Sequence, residues 1–192
     1  MAARLAVFVV ATAVLGGGCG FFMEPKPDLE NKKTAQLGKF SVEYAGNWKT
    51  ELETDEAGGM TFSSLTIESQ GSAIAMVQVF EPAIDFSPEQ VFETYVEGML
   101  EASKTEFGGV LDLSVHSEDE FSRAVLGSTW VGRTGTVDVT LLGEKVPNRI
   151  QTVQHSNDER TVVIVVQAPT EDWKTASPGF DAIYDGLKES GS

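Results

Sequence analysis

Phe40-Ser41-Val42-Glu43-Tyr44 alternates apolar and polar residues, the period-two pattern of a half-buried strand. Ala45-Gly46-Asn47 turns the chain before Trp48. A second strand is predicted from Met60 to Ser69, after the turn Asp55-Glu56-Ala57-Gly58-Gly59. Ala73 to Phe80 is apolar on both parities, so both of its faces should be covered. A helix start follows: Ser87 can cap, Pro88 suits the first helical position, and Gln90 completes an S-x-x-Q capping box. Phe92, Tyr95, Val96 and Met99 then fall at i, i+3, i+4 and i+7, and Gly108-Gly109 should end the helix.

Further strands are predicted at 111–116, 128–134, 136–141, 149–155 and 161–167. Gly132 interrupts the second of these, and Gly143 and Pro147 should turn the chain after the third. TVVIVVQ, from Thr161 to Gln167, is again apolar on both parities. A last helix should open at Ser177-Pro178, with Phe180, Ile183, Tyr184 and Leu187 forming its apolar stripe. Central strands covered on both faces need two amphipathic helices, far apart in sequence, as cover. The expected fold is therefore α+β: an α/β/α sandwich on a mostly antiparallel twisted sheet of about six to seven strands.

The first twenty residues break this pattern. Leu5 to Leu15 is an unbroken apolar run preceded by Arg4, too short for the ~20 residues that span a bilayer and suited to a signal-peptide core. Gly16, Gly17 and Gly18 lead to Cys19, the single cysteine of the 192-residue chain. This ending resembles the lipobox of bacterial lipoproteins, although Gly16 stands where that motif prefers leucine, with Leu15 one step further out. The resemblance implies cleavage before Cys19, a diacylglyceryl thioether on it, and attachment to a membrane through those acyl chains. The alternative is an ordinary secretory signal. The expected organisation is a signal peptide at 1–18, an extended tether at 19–39 carrying Pro25 and Pro27, and one folded domain at 40–192. Gly20 is not the aspartate associated with inner-membrane retention in some enteric bacteria, which leans toward an outer membrane where the cell has one.

Charge narrows the partners. With 14 Lys+Arg against 29 Asp+Glu, the net charge is −15, which argues against nucleic acid and against the protein body lying flat on anionic lipid. A single cysteine leaves no internal disulfide framework and no Cys-rich zinc site.

The order of elements also resembles the PsbP-like superfamily, whose members include the photosystem II extrinsic protein PsbP, the Ran-binding Mog proteins and envelope lipoproteins of the DcrB type. The residues that carry the likeness are Phe40-Ser41-Val42-Glu43-Tyr44 with Trp48, and the ending TVVIVVQAP followed by Ser177-Pro178-Gly179-Phe180-Asp181-Ala182-Ile183. Ala45 stands where that opening often has proline. The resemblance implies an α/β/α domain that works by binding, as an accessory to a larger assembly, and it brings no catalytic motif.

Candidate chemistry is sparse. His116 and His155 are the two histidines; they do not form H-E-x-x-H, although they could meet across a sheet and Asp112 shares parity with His116. Gly127-Ser128-Thr129-Trp130-Val131-Gly132 has the wrong spacing for a nucleophile elbow, and Gly132-Arg133-Thr134-Gly135 is no phosphate loop. The acidic runs Glu118-Asp119-Glu120 and Asp158-Glu159 lie in predicted loops without a calcium pattern. Trp130, beside Arg133 in a glycine-interrupted strand, is the candidate binding pair, since exposed Trp and Arg anchor interfaces; core packing is the competing role for Trp130. No catalytic residue, metal site or cofactor is expected. The sequence thus points to a lipid-anchored, non-enzymatic protein that binds an unidentified protein partner. A carrier with an apolar pocket between sheet and helix is the alternative, and a carboxylate-pair hydrolase a third reading.

Overall fold

The computed structural model describes residues 24–107, 111–141 and 144–189. The segment 1–18, Cys19 and the turn glycines Gly108, Gly109 and Gly143 lie outside them.

The strands are β1 (Lys33–Leu37), β2 (Phe40–Tyr44), β3 (Lys49–Ala57), β4 (Met60–Glu68), β5 (Ile74–Glu81), β6 (Leu111–Val125), β7 (Ser128–Leu141), β8 (Glu144–Ser156), β9 (Thr161–Pro169) and β10 (Leu187–Glu189). The helices are α1 (Pro88–Phe107), between β5 and β6, and α2 (Trp173–Gly186), between β9 and β10. A seven-stranded sheet runs β3-β4-β5-β9-β8-β7-β6, and a three-stranded sheet runs β1-β2-β10. Every pairing in both sheets is antiparallel. The large sheet is thus two meanders, β3-β4-β5 and β6-β7-β8-β9, joined along β5 and β9. The connection through α1 carries the chain from β5 to the far edge. The expected α+β sandwich is what forms.

β5 and β9 lie inside the sheet and bury both faces, as their two apolar parities require. On one face α1 sets Phe92, Tyr95 and Met99 against Met76, Val137, Ile150, Val163 and Val165. Its start is the capping box the sequence spells: Ser87 N–H donates to Gln90 Oε1 at 2.8 Å and Gln90 N–H to Ser87 Oγ at 3.2 Å. On the other face α2 and the small sheet close over Val77, Val153, Ile164 and Val166. There Trp48 meets Phe180 edge-on at 5.6 Å. A Cβ on Gly179 would sit 2.5 Å from the Trp48 ring, so only glycine lets helix and indole approach this closely.

Five elements differ from their sequence expectation. From Glu24 onward the expected tether belongs to the body. β1 pairs with β2, and the buried Glu24 carboxylate accepts from the N–H groups of Ser72 (2.7 Å) and Ala73 (3.2 Å). Asp28 and Asn47 extend this docking: Asp28 N–H donates to Asn47 Oδ1 at 2.8 Å, and Gly46 N–H to the Asp28 carbonyl at 2.8 Å. β3 was not anticipated; its side chains are all exposed, and its backbone pairing to β4 alone makes it a strand. β7 is one strand through Gly132 and Gly135, and β8 contains Pro147 instead of turning there. α2 begins at Trp173, where Thr175 and Ala176 N–H donate to the Asp172 carbonyl, and it carries Pro178 in its second turn. Pro178 removes only one intrahelical bond there, at exposed Lys174.

Candidate functional site

Trp130 is 1 % exposed, so it takes the core-packing role that competed with a surface anchor. Its face of β7 is covered from the α2 side. The ring stacks on exposed His155 at 5.5 Å, and its Nε1–H donates to Ser128 Oγ at 3.1 Å. Arg133, three residues on in the same strand, points to the opposite face. Its guanidinium pairs with Glu89, in the first turn of α1, and with Glu118 of β6 at 3.3 Å. Arg133 therefore ties the α1 N-terminus to two strands, and the two residues form no joint site. The Glu89 carboxyl is held below its ordinary range by its own backbone N–H and by Ser87, with Arg133 adding to the effect.

The histidines do not meet. His155 lies on Trp130, whereas His116 Nε2 contacts Asp138 Oδ2 across the β6–β7 pair, beside a bulge between Val115 and Ser117. Lys145 Nζ bonds the same Asp138 oxygen. The Asp138 side chain is buried, and Lys145 followed by His116 holds its carboxyl below the usual range. A base and an orienting carboxylate are half of an acyl-transfer constellation. Here the third member is an ammonium on the same oxygen, and both His116 and Lys145 stand half in water. The trio is a surface ion cluster, and neither Asp138 nor Lys145 carried any sequence signal toward it. Asp112 is not its partner.

The acidic runs are also engaged. Glu118 pairs with Arg133, and Glu159 with Arg160, whose guanidinium also reaches Glu189 at 2.6 Å and Glu81 at 3.5 Å. Glu118-Asp119-Glu120 lies within β6, not in a loop, because β6 extends to Val125. Among the described residues, no group of three or more His, Cys, Asp or Glu side chains is placed to hold a metal ion. No helix among them is long and apolar enough to cross a membrane.

Between α1 and the sheet lies one small cavity, lined by Gln78, Phe80, Phe86, Val91, Thr94, Tyr95, Val163 and Val165. Its volume is about 20 Å³, room for about one water and far below the ~300 Å³ of a ligand pocket. Its lining is mostly apolar, with Gln78, Thr94 and Tyr95 as the polar members. Tyr95 O–H donates to Gln167 Oε1 at 2.7 Å, and Gln167 Nε2–H to Asn148 Oδ1 at 3.2 Å. Gln78 Nε2 is buried without a partner among the described residues, and burial pushes the Tyr95 phenol up.

What the body does offer outward is sheet edge. β6, 15 residues long, pairs on one side only, with β7, and bears Asp112, Glu118, Asp119 and Glu120. β3 is the other edge, with Glu51, Glu53 and Asp55 on one face and exposed Leu52 on the other. The exposed apolar side chains otherwise stand singly along the surface.

No family model matches the chain, and no curated protein does. Solved structures match at low identity. Cyanobacterial PsbP from Synechocystis sp. PCC 6803 is 12 % identical with a TM-score of 0.49, over 90 % of this chain and 98 % of that one. LpqN, involved in cell envelope biogenesis of Mycobacterium tuberculosis, is 11 % identical with a TM-score of 0.43, over 83 % and 90 %. A protein of unknown function from Pseudomonas aeruginosa is 12 % identical with a TM-score of 0.32, over 79 % and 92 %. These are likenesses in the arrangement of elements, and no function passes from them to this chain.

Proposed function

We propose that this chain is an extracytoplasmic protein, anchored through acyl chains on Cys19, that works by holding a protein partner without catalysing a reaction. The observation that carries the binding role is the long open edge of β6, whose outer row of backbone N–H and C=O groups has no strand beside it among the described residues. Such an edge is a template for an extended segment of another chain. Its acidic side chains select a basic segment and repel a second copy of this acidic protein. The carrier reading is weaker, because the cavity between α1 and the sheet holds about one water until the helix moves.

The test is a photo-crosslinking amino acid placed at Asp119 on β6 or at Glu53 on β3, in the full-length chain in its native membrane. One protein should crosslink in near-stoichiometric amount from position 119 and not from 53. The same yield should fall severalfold when Cys19→Ala releases the anchor. Equal labelling from both edges, or none from position 119, would rule out β6 as the binding edge.

A further inference from the structure

We infer that the end of the sandwich holding Glu24 faces the lipid surface and the hairpin end points away from it; this rests on the acylation of Cys19 proposed above. Strand directions sort the loops into two ends. The bend 69–73, the start of α2 and the segment from Glu24 to Asn31 lie at one end. Gly58-Gly59, Leu126-Gly127 and the turn 157–160 lie at the other. β4 alone separates them by about 27 Å at ~3.3 Å per residue.

The chain joins the body at the first of these ends. Glu24 is 5 % exposed and accepts from Ser72 and Ala73, and Asn47 Nδ2–H donates to the Lys26 carbonyl at 3.0 Å. Only five residue steps separate Cys19 from Glu24, a span of at most ~18 Å fully extended. The body is therefore pinned close to its anchor at a defined point and does not swing on a long spacer.

Charge selects the same orientation independently. Exposed Lys26, Lys33, Lys49, Lys145 and Lys174 stand at the Glu24 end, Lys145 paired with Asp138, beside exposed Glu30, Asp112, Glu144 and Glu171. The opposite end presents Asp55, Glu56, Asp85, Asp158 and Glu159. The near end roughly balances its charges and the far end does not, so with a screening length of about 8 Å at physiological salt an anionic bilayer repels the Glu24 end least, while the far carboxylates lie beyond its reach. A body of strongly negative net charge thus stands upright on anionic lipid where it would be repelled lying flat.

The test uses the full-length acylated protein in vesicles of phosphatidylethanolamine and phosphatidylglycerol that carry a headgroup nitroxide quencher. Cys19 is the single native cysteine and is consumed by its thioether, so one new cysteine takes the fluorophore, at Gln70 or Lys174 near Glu24, or at Glu56 or Asp158 far from it. Quenching should be at least about threefold stronger at the near pair, which lies at the same end as Glu24, itself within ~18 Å of the anchor by chain length. Charge reversal of Lys26, Lys33 and Lys49 to Glu should narrow that ratio. Equal quenching at both ends, with the protein still floating with vesicles, overturns the orientation alone. Protein that fails to float, with Cys19 unmodified by mass, overturns the anchor and the orientation together.

Discussion

The two faces of the seven-stranded sheet are built from the same strands but packed by different rules. The α2 face is covered by a helix and a second sheet, and its inward residues are mostly aliphatic or aromatic, Val77, Val79, Val153, Ile164, Val166, Trp48 and Phe180 among them, with Gln151 and Arg160 as buried polar members. The α1 face is covered by one helix, and among its inward residues stand Gln78, Thr152, Gln154, Thr161 and Gln167, with a small cavity beside Gln78. A dry, close-packed face loses contacts that nothing replaces when a side chain is cut back. A face carrying buried polar groups is stable only so far as each finds a partner. Among the described residues, Gln78 Nε2 and Gln154 Oε1 find none on the α1 face, and Trp48 Nε1 and Tyr184 O–H find none on the α2 face, so the faces differ in how much polar surface they bury and not in leaving none unpaired.

The largest effect should therefore come from the α2 face. Trp48 fills the gap above Gly179 and packs on Phe180. Trp48→Ala is expected to cost about 3–5 kcal/mol, measured by urea unfolding. A loss below about 2 kcal/mol would mean the small sheet and α2 repack over the vacancy, and the contrast between the faces would be weaker than their packing indicates.

Intermediate effects belong to the α1 face, and they should carry opposite signs. Tyr95→Phe strips the donor from Gln167 Oε1 inside the core and is expected to cost about 1–3 kcal/mol. Gln78→Met removes an amide whose Nε2 has no partner and keeps the volume, so it should be neutral or stabilising by up to about 1 kcal/mol. Thermal melts of the two variants side by side check the pair. Destabilisation by Gln78→Met comparable to that of Tyr95→Phe would show that the cavity holds a water completing the Gln78 bonds.

These differences also explain what could be read from the sequence. Both faces of β5 and β9 were legible because their residues are apolar on either parity, and the stripes of both helices because their spacing repeats. β3 was invisible because KTELETDEA has no buried side; backbone pairing to β4 is its only reason to extend. β7 was cut in two because glycine reads as a turn. Gly135 is instead where Phe92 of α1 comes within 2.5 Å of the position a Cβ would take, so it records packing. The site was less legible than the fold. A tryptophan in a strand looks the same whether its face meets solvent or α2, and only the covering layer decided for Trp130. Asp138 reaches His116 across a bulged pair, and Glu24 reaches Ser72 across 48 positions, contacts that no local spacing encodes.

The smallest effect should come from the rim of the α2 side, where charge takes over from packing. Glu43 lies on the outer face of the small sheet, beneath Lys188 of β10 and Lys32 just before β1, so one carboxylate links all three strands. Its bond to Lys188 first, and that to Lys32 second, bring its pKa from 4.5 down to about 2. A carboxylate whose folded pKa is depressed contributes stability that is complete above about pH 4.5 and disappears as pH falls toward 2. Because the cluster is open to water, that contribution should stay below about 1 kcal/mol and vanish in molar salt. Lys188→Ala should raise the Glu43 midpoint in an NMR titration and flatten the acid limb of stability over that window. The packed interface beneath, held by Trp48 and Phe180, rests on ring contacts and not on charge and should keep its contribution throughout. If Lys188→Ala instead costs as much at neutral pH as Trp48→Ala, the small sheet is held on by its charges, and the close packing attributed to the α2 face is not what secures that layer.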